Sequence, residues 1–183
     1  QVALPAASPR GGLLGQASIL TVTSYGNHTS VVRRGQWILD KLLAAPPPPP
    51  PPDIPALVAS QDGRALTARE QMAVHREDPA CASCHRKMDP LGLALERFDA
   101  VGGFRRRDAG QRIDAAAALP GGDGSGGLTG LRCVLMARRD AFTRAFTEQL
   151  IAAAAAEDGY RIRSVLRGIV DSLPFNYRKV PAE

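Results

Sequence analysis

The sequence predicts a mainly α fold, and three observations carry that reading. Apolar residues recur at helical spacing in several stretches, most fully over Ile162, Val165, Leu166, Ile169, Val170 and Leu173. A capping box, Thr67-Ala68-Arg69-Glu70, marks a helix start from sequence alone. No alternating pattern forms a convincing sheet, and no internal repeat is found. At 183 residues and 44% hydrophobic, the chain suffices for one domain or two small ones. The reading divides it into an opening segment and helix (1–45), a polyproline linker (46–66) and a helical domain (67–183) that carries the chemistry.

The elements follow in order. Residues 1–30 are rich in Gly, Ser and Thr and predict a long, mostly irregular segment. Ser30 is placed to cap a helix on which Trp37, Ile38, Leu42 and Leu43 share a side between Arg33 and Ala45. Pro46 to Pro52 have fixed φ and no amide donors, so they predict a stiff extended spacer. At about 3.1 Å per residue a polyproline helix of this length spans roughly 22 Å. The capped helix runs from Thr67 to about Glu77 and stops before Pro79. Asp89-Pro90-Leu91-Gly92 predicts a tight turn, and residues 93–99 a short helix after it. The Gly-rich stretch 120–130 predicts a flexible loop. Three helical stretches close the chain, begun by Leu128, Leu131 and Leu135, then by Phe142, Phe146 and Leu150, then by the stripe from Ile162.

Composition excludes some functions. The net charge is +5, but the basic residues are dispersed apart from Arg105-Arg106-Arg107 and Arg138-Arg139. A nucleic-acid binder would show a basic stripe interleaved with aromatics or a known motif, and neither is present. The charge instead suits a solvated face, with an acidic redox partner as a second use. No run of about twenty apolar residues predicts a transmembrane helix. The start, Gln1-Val2-Ala3-Leu4-Pro5, lacks the features of a signal peptide, and the expectation is a piece of something longer.

The decisive motif is Cys81-Ala82-Ser83-Cys84-His85, which has the spacing of haem c attachment. Two thiols three apart can each form a thioether to one haem vinyl group, and the imidazole behind them is a good fifth iron ligand. On that reading Cys81 and Cys84 anchor one covalent haem and His85 is the proximal ligand. A zinc site would need four ligands, and only Cys133, His28 and His75 remain to complete it. A redox dithiol would need a βαβ context that the flanking pattern does not supply. Haem c attachment takes place outside the bacterial cytoplasm, so the motif implies a periplasmic or exported location.

The neighbouring residues carry a resemblance. Behind the motif stand Met88-Asp89-Pro90-Leu91-Gly92 and Ala94-Leu95-Glu96-Arg97-Phe98-Asp99; ahead of it stand Arg69-Glu70 and His75-Arg76. With Gly12-Leu13-Leu14, Thr29-Ser30, Arg34-Gly35 and Trp37 upstream, and Val101-Gly102, Arg105, Ile113-Asp114-Ala115 and Ile169-Val170-Asp171-Ser172 downstream, they span nearly the whole chain. This resembles the C-terminal cytochrome c module of large multi-domain planctomycete-type proteins, domains of unknown function. The resemblance implies a small helical domain like class I cytochromes c and an electron-transfer role. The partners would be upstream domains of the same polypeptide or a separate redox protein. One departure stands out: a Tyr-Ala-Leu-Gly-Arg stretch and its helix, usual after the position of Leu150, are missing here.

The sixth iron ligand separates an electron carrier from an open haem site with peroxidase-like or sensor behaviour. The candidates are His75, Met72, Met136, His28 and Met88. Met88 falls on the proximal side, three residues past His85; His75 matches a position of the resembled family and is the first choice, with Met72 and Met136 behind it. A capping or propionate-bonding role for His75 stays open beside ligation. A backbone carbonyl near Asp89-Pro90 is the expected acceptor for His85 Nδ1–H. Arg97, Arg105 and Trp37 are candidate contacts to the haem edge, while Glu96 and Asp99 read as partners for Arg97 or Arg105. Cys133 reads as a small buried hydrophobe. A haem-free helical domain, metal-binding or purely structural, is the remaining alternative.

Overall fold

The computed structural model describes residues 5, 8–50, 52, 56–116 and 126–156, with 159, 161, 163, 166–167 and 170–171 beyond them. The protein is mainly α. Its helices are α1 (Ala17–Val22), α2 (Val31–Trp37), α3 (Ala68–His75), α4 (Pro79–Leu93), α5 (Gly127–Ala137) and α6 (Arg139–Ala156). A 3-10 turn, Leu13–Gly15, precedes α1, and α2 widens into a π-helical turn, Ile38–Leu42. Two hairpins of two-residue strands join them: β1 (Ser60–Gln61) with β2 (Arg64–Ala65), and β3 (Arg107–Asp108) with β4 (Gln111–Arg112).

The helix starts follow their sequence signals. Ser30 Oγ accepts from Arg33 N at 3.1 Å, capping α2 as expected. Thr67 and Glu70 close the capping box at α3: Thr67 N donates to Glu70 Oε2 at 2.8 Å, and Glu70 N donates to Thr67 Oγ1 at 3.4 Å. Asp78 caps α4 by accepting from Ala80 N at 2.8 Å, and Pro79 takes the first helical position, where no amide donor is needed.

The crossing of α2 and α4 is the most extensive contact between elements. Val31, Arg34, Gly35, Ile38, Leu39 and Leu42 form one buried stripe along α2 and its π-helical extension. Two glycines let the backbones meet. A Cβ on Gly35 would stand 2.1 Å from Met88 O, and one on Gly92 would stand 2.0 Å from Val31 O. Around this crossing lies the core of Leu20, Ile38, Leu42, Leu91, Leu95, Phe98, Leu131 and Val134, against which Trp37, Phe142 and Phe146 pack.

Arg34 is wholly buried in that core. Its Nη1 donates to Leu95 O (2.9 Å) and Phe98 O (2.8 Å), and its Nη2 to Asp99 O (2.9 Å) and Ser24 Oγ (3.0 Å). Glu96, 2% exposed, supplies the counter-charge at 3.9 Å and also receives Arg105 and Thr29. Burial lowers the Arg34 pKa to about 10 against the pull of Glu96, so the guanidinium stays charged at neutral pH. Burial pushes the Glu96 carboxyl upward, opposed by Thr29 and the two arginines.

Several sequence expectations are corrected. The described part of residues 1–30 is mostly irregular as expected, but it includes a helix that the sequence reading did not predict, Ala17–Val22, which buries Leu20. Asp89-Pro90-Leu91-Gly92 is no turn but lies inside α4: tertiary burial of Asp89, Leu91 and Gly92 holds the helix through Pro90. Residues 93–99 are no helix beyond the end of α4. Leu95, Glu96 and Phe98 donate to the carbonyls of Gly92, Leu93 and Leu95, a run of tighter i→i−3 turns that presents its carbonyls to Arg34. Short strands do occur, each pair joined through two residues at positive φ, Asp62-Gly63 and Ala109-Gly110. In the expected loop 120–130, residues 127–130 are the first turn of α5, while 120–125 lie outside the described residues. The stripe from Ile162 to Leu173 also lies largely outside them.

Two outcomes test this framework. Arg34→Met removes one of the two cations at Glu96 and the donors to several buried carbonyls, so it should cost about 3–5 kcal/mol in urea unfolding. At α3, the Arg64 guanidinium, then the Thr67 amide and hydroxyl, lower the Glu70 pKa to about 2 from an ordinary 4.5. A depressed carboxylate stabilises the fold fully above its ordinary value and loses that contribution as pH falls through about 2. The stability difference between the native chain and Glu70→Gln should therefore be constant above pH 5 and shrink toward pH 2, measured by denaturant titration across that range.

Candidate functional site

Cys81, Cys84 and His85 stand on the first two turns of α4, opened by the Asp78-Pro79 start. At about 100° of helix per residue, Cys81 projects between Cys84 and His85, and all three share one broad face. Both cysteines are half-buried free thiols. Partial burial, with Asp78 and Cys84 nearby, pushes the Cys81 thiol up from its ordinary value. That is the reverse of what a redox dithiol's attacking thiolate requires.

His85 is oriented from beneath. Its Nδ1 lies 2.8 Å from Asp89 Oδ1, one helical turn on, and Arg76 Nη1 donates to Asp89 Oδ2 at 2.8 Å. The Asp89 side chain has no exposure, and burial raises its pKa against the opposing pull of His85 and Arg76. With Arg76 on one oxygen, the other accepts the His85 Nδ1 proton, leaving the Nε2 lone pair for a metal or a second donor. The acceptor is thus a side-chain carboxylate rather than the backbone carbonyl expected near Asp89-Pro90.

The other sequence candidates scatter. The His75 ring meets His85 edge-on, with centroids 4.6 Å apart and planes at 67°. Its pKa is lowered, chiefly by burial and then by His85. Met72 is 2% exposed in a small cluster with Val31 and Leu93, and Met88 is in the main core under Gly35. Met136 is 67% exposed on α5. His28 stacks on Tyr25 at 4.7 Å and bonds Asn27, apart from the motif. Glu96 does pair with Arg105, whereas Asp99 Oδ1 accepts from the amides of Val101 and Gly103. Arg105 is occupied by Glu96, Asp108 and Thr29, and Cys133 is half-buried.

One cavity of about 680 Å³ adjoins the motif through Cys84. Leu39, Leu91, Val134 and Pro46–Pro48 give it apolar walls, and Lys87 and Arg138 add two cations. Sequence reasoning missed this role for the first prolines and for Lys87; only Lys87's place three residues after Cys84 was a signal. His85 is not among the lining residues: its ring faces Asp89 and His75 instead. Among the described residues, no three His, Cys, Asp or Glu side chains gather as a bare metal ion would need. A porphyrin brings four nitrogens of its own, so one or two protein ligands suffice. No helix among the described residues is long and apolar enough to cross a membrane.

The model of the PSCyt3 family, proteins of unknown function (DUF1588), matches residues 10–108. The chain belongs to this family. The matched span covers more than half of the chain and runs from the 3-10 turn before α1 into β3, taking in Cys81, Cys84, His85 and Asp89. PSCyt3 is a planctomycete-type, cytochrome-associated domain. No curated protein and no solved structure matches the chain.

Asp89→Asn tests the orientation of His85. Weakening two charge-assisted bonds should destabilise the fold by about 2 kcal/mol in urea titration. Nitrogen-15 NMR of the imidazole should show the population protonated at Nδ1 falling; an unchanged tautomer ratio would mean that Asp89 does not set it.

Proposed function

We propose that this chain is a haem c module, with Cys81 and Cys84 as covalent anchors, His85 as the proximal ligand and electron transfer within a larger exported protein as its role. The observation that carries the reading is His85 itself: it follows the paired thiols and is held by a buried carboxylate with Nε2 left open. Cys81 and Cys84 would hold the haem by thioethers, each thiol adding its sulfur and its hydrogen across one vinyl double bond. The bound iron would supply a one-electron ferric–ferrous couple.

The residues of the chain do the rest. Asp89 fixes the His85 tautomer and raises its basicity as a ligand, which favours the ferric state and a lower potential. The apolar wall of Leu39, Leu91, Val134 and the first prolines would pack against a haem edge that reached the Cys84 side, which His85 does not line, and Lys87 and Arg138 would there be available to a propionate. The periplasmic or exported location follows from the maturation chemistry. The partners proposed are upstream domains or a separate redox protein. The shortened region after Leu150 and the identity as a C-terminal module belong to the same proposal.

His75 is proposed as sixth ligand. In this structure the His75 and His85 rings meet edge-on with centroids 4.6 Å apart, too close for both to hold one iron between them. His75 would therefore have to swing away from His85 about the 76–78 connection. The same contact, with Met72 and Met88 in the core, favours a second reading in which the sixth position is open and binds small ligands.

The test is expression with a c-type maturation system, followed by haem staining on a denaturing gel. Stain should be retained by the native chain and lost from Cys81→Ala/Cys84→Ala; an unstained native chain overturns the proposal. His75→Ala should then shift the ferric spectrum from low to high spin. If the spectrum is unchanged and the reduced protein binds carbon monoxide readily, the open-site reading replaces His75 ligation.

A further inference from the structure

A second cavity, of about 430 Å³, lies beside the β3–β4 hairpin. Its lining is Arg97, Phe104, Arg106, Arg107, Arg112 and Ile113, four arginines and no acidic residue. The nearest acids are engaged elsewhere. Asp108 accepts from Arg105 at 3.1 Å and from the first amide of α3, Ala68 N, at 3.1 Å, while Glu96 is buried against Arg34, Arg105 and Thr29. Asp114 pairs with Arg69 at 3.4 Å. Among the described residues, no ion pair or side-chain hydrogen bond engages Arg97, Arg106 or Arg112, and Arg107 donates only to Gly110 O at 2.9 Å.

This concentration is not a generic feature of a basic chain. A solvated basic face usually intersperses acids; here four exposed arginines line one concavity with no Asp or Glu among its lining residues. Phe104 and Ile113 give the concavity an apolar side, which strengthens the field of the flanking charges. Guanidinium is the group best matched to planar or tetrahedral oxyanions, because its fixed fork of donors engages two oxygens at once. The hairpin is also anchored, through Asp108 to α3 and through Arg105 to Glu96, so its arginines are held on a supported element.

We propose that this cavity binds a small ligand bearing two or more adjacent oxyanion groups, of the phosphate or polycarboxylate kind. Binding would neutralise charge on the four arginines and tie the hairpin to the turns that follow α4. The site uses none of Cys81, Cys84 or His85, so it stands or falls independently of the haem proposal.

The experiment is calorimetric titration of the full chain with pyrophosphate and, separately, with citrate, at about 150 mM NaCl to screen diffuse attraction. Saturable one-to-one binding is expected. Arg97→Gln/Arg106→Gln/Arg112→Gln should weaken it about tenfold or more by removing charge-assisted donors. Arg144→Gln, which removes a charge from exposed α6, should leave affinity unchanged. The single variants Arg97→Gln and Arg112→Gln give the same reading with less perturbation of the hairpin. Binding of pyrophosphate alone assigns the site to phosphate groups; binding of both probes assigns it to oxyanions generally. Absence of saturable binding to the native chain, or equal weakening by Arg144→Gln, overturns the proposal.

Discussion

The rest of the structure depends on one buried cation at one close helix crossing. Arg34 has no exposure, yet its two terminal nitrogens donate to three carbonyls of the 95–99 turns, to Leu20 O and to Ser24, while Nε alone is left without a partner. An unpaired charge in that position would be prohibitive, so α1, α2 and the end of α4 must assemble together. Gly35 and Gly92 make the assembly possible, because any side chain at either would drive into the facing backbone. The apolar core packs around this point, but a hydrophobic effect without direction would not select the geometry.

The candidate site inherits its rigidity from that crossing. Asp89 is on the same helix as Gly92, one turn before it, and is carried into the interior by the same packing. There it is held by Arg76 from the end of α3 and holds His85 in turn. A ligand oriented by a buried carboxylate loses little entropy when it binds, which is the physical use of such a second layer of contacts. Family membership agrees in extent with this picture, since the matched residues 10–108 contain both the crossing and the site.

Much of this was legible from the chain. Ser30 and Thr67 announced two helices because a hydroxyl beside free amides has one economical conformation. The spacing of Cys81, Cys84 and His85 was visible because such chemistry requires fixed offsets along one turn. The hairpins were missed although Asp62-Gly63 is a recognised turn pair, since strands of two residues have no alternation to detect. The Asp89–Gly92 reading failed for a related reason. Proline and glycine together usually break a helix, and only the approach of α2 explains why the glycine was needed there.

What the sequence by itself determined was local: where helices begin, that two thiols and an imidazole stand at fixed offsets, and that the chain is mainly α. These are properties of neighbours along the backbone, so a short window contains their causes. Tertiary structure decided which carboxylate orients His85, that His75 meets it edge-on, that prolines wall the cavity beside Cys84, and that four arginines line one concavity with no acidic residue among its walls. Each of those pairs or encloses groups from separate elements. Their energies come from burial and from charge brought together in three dimensions, which no linear window contains.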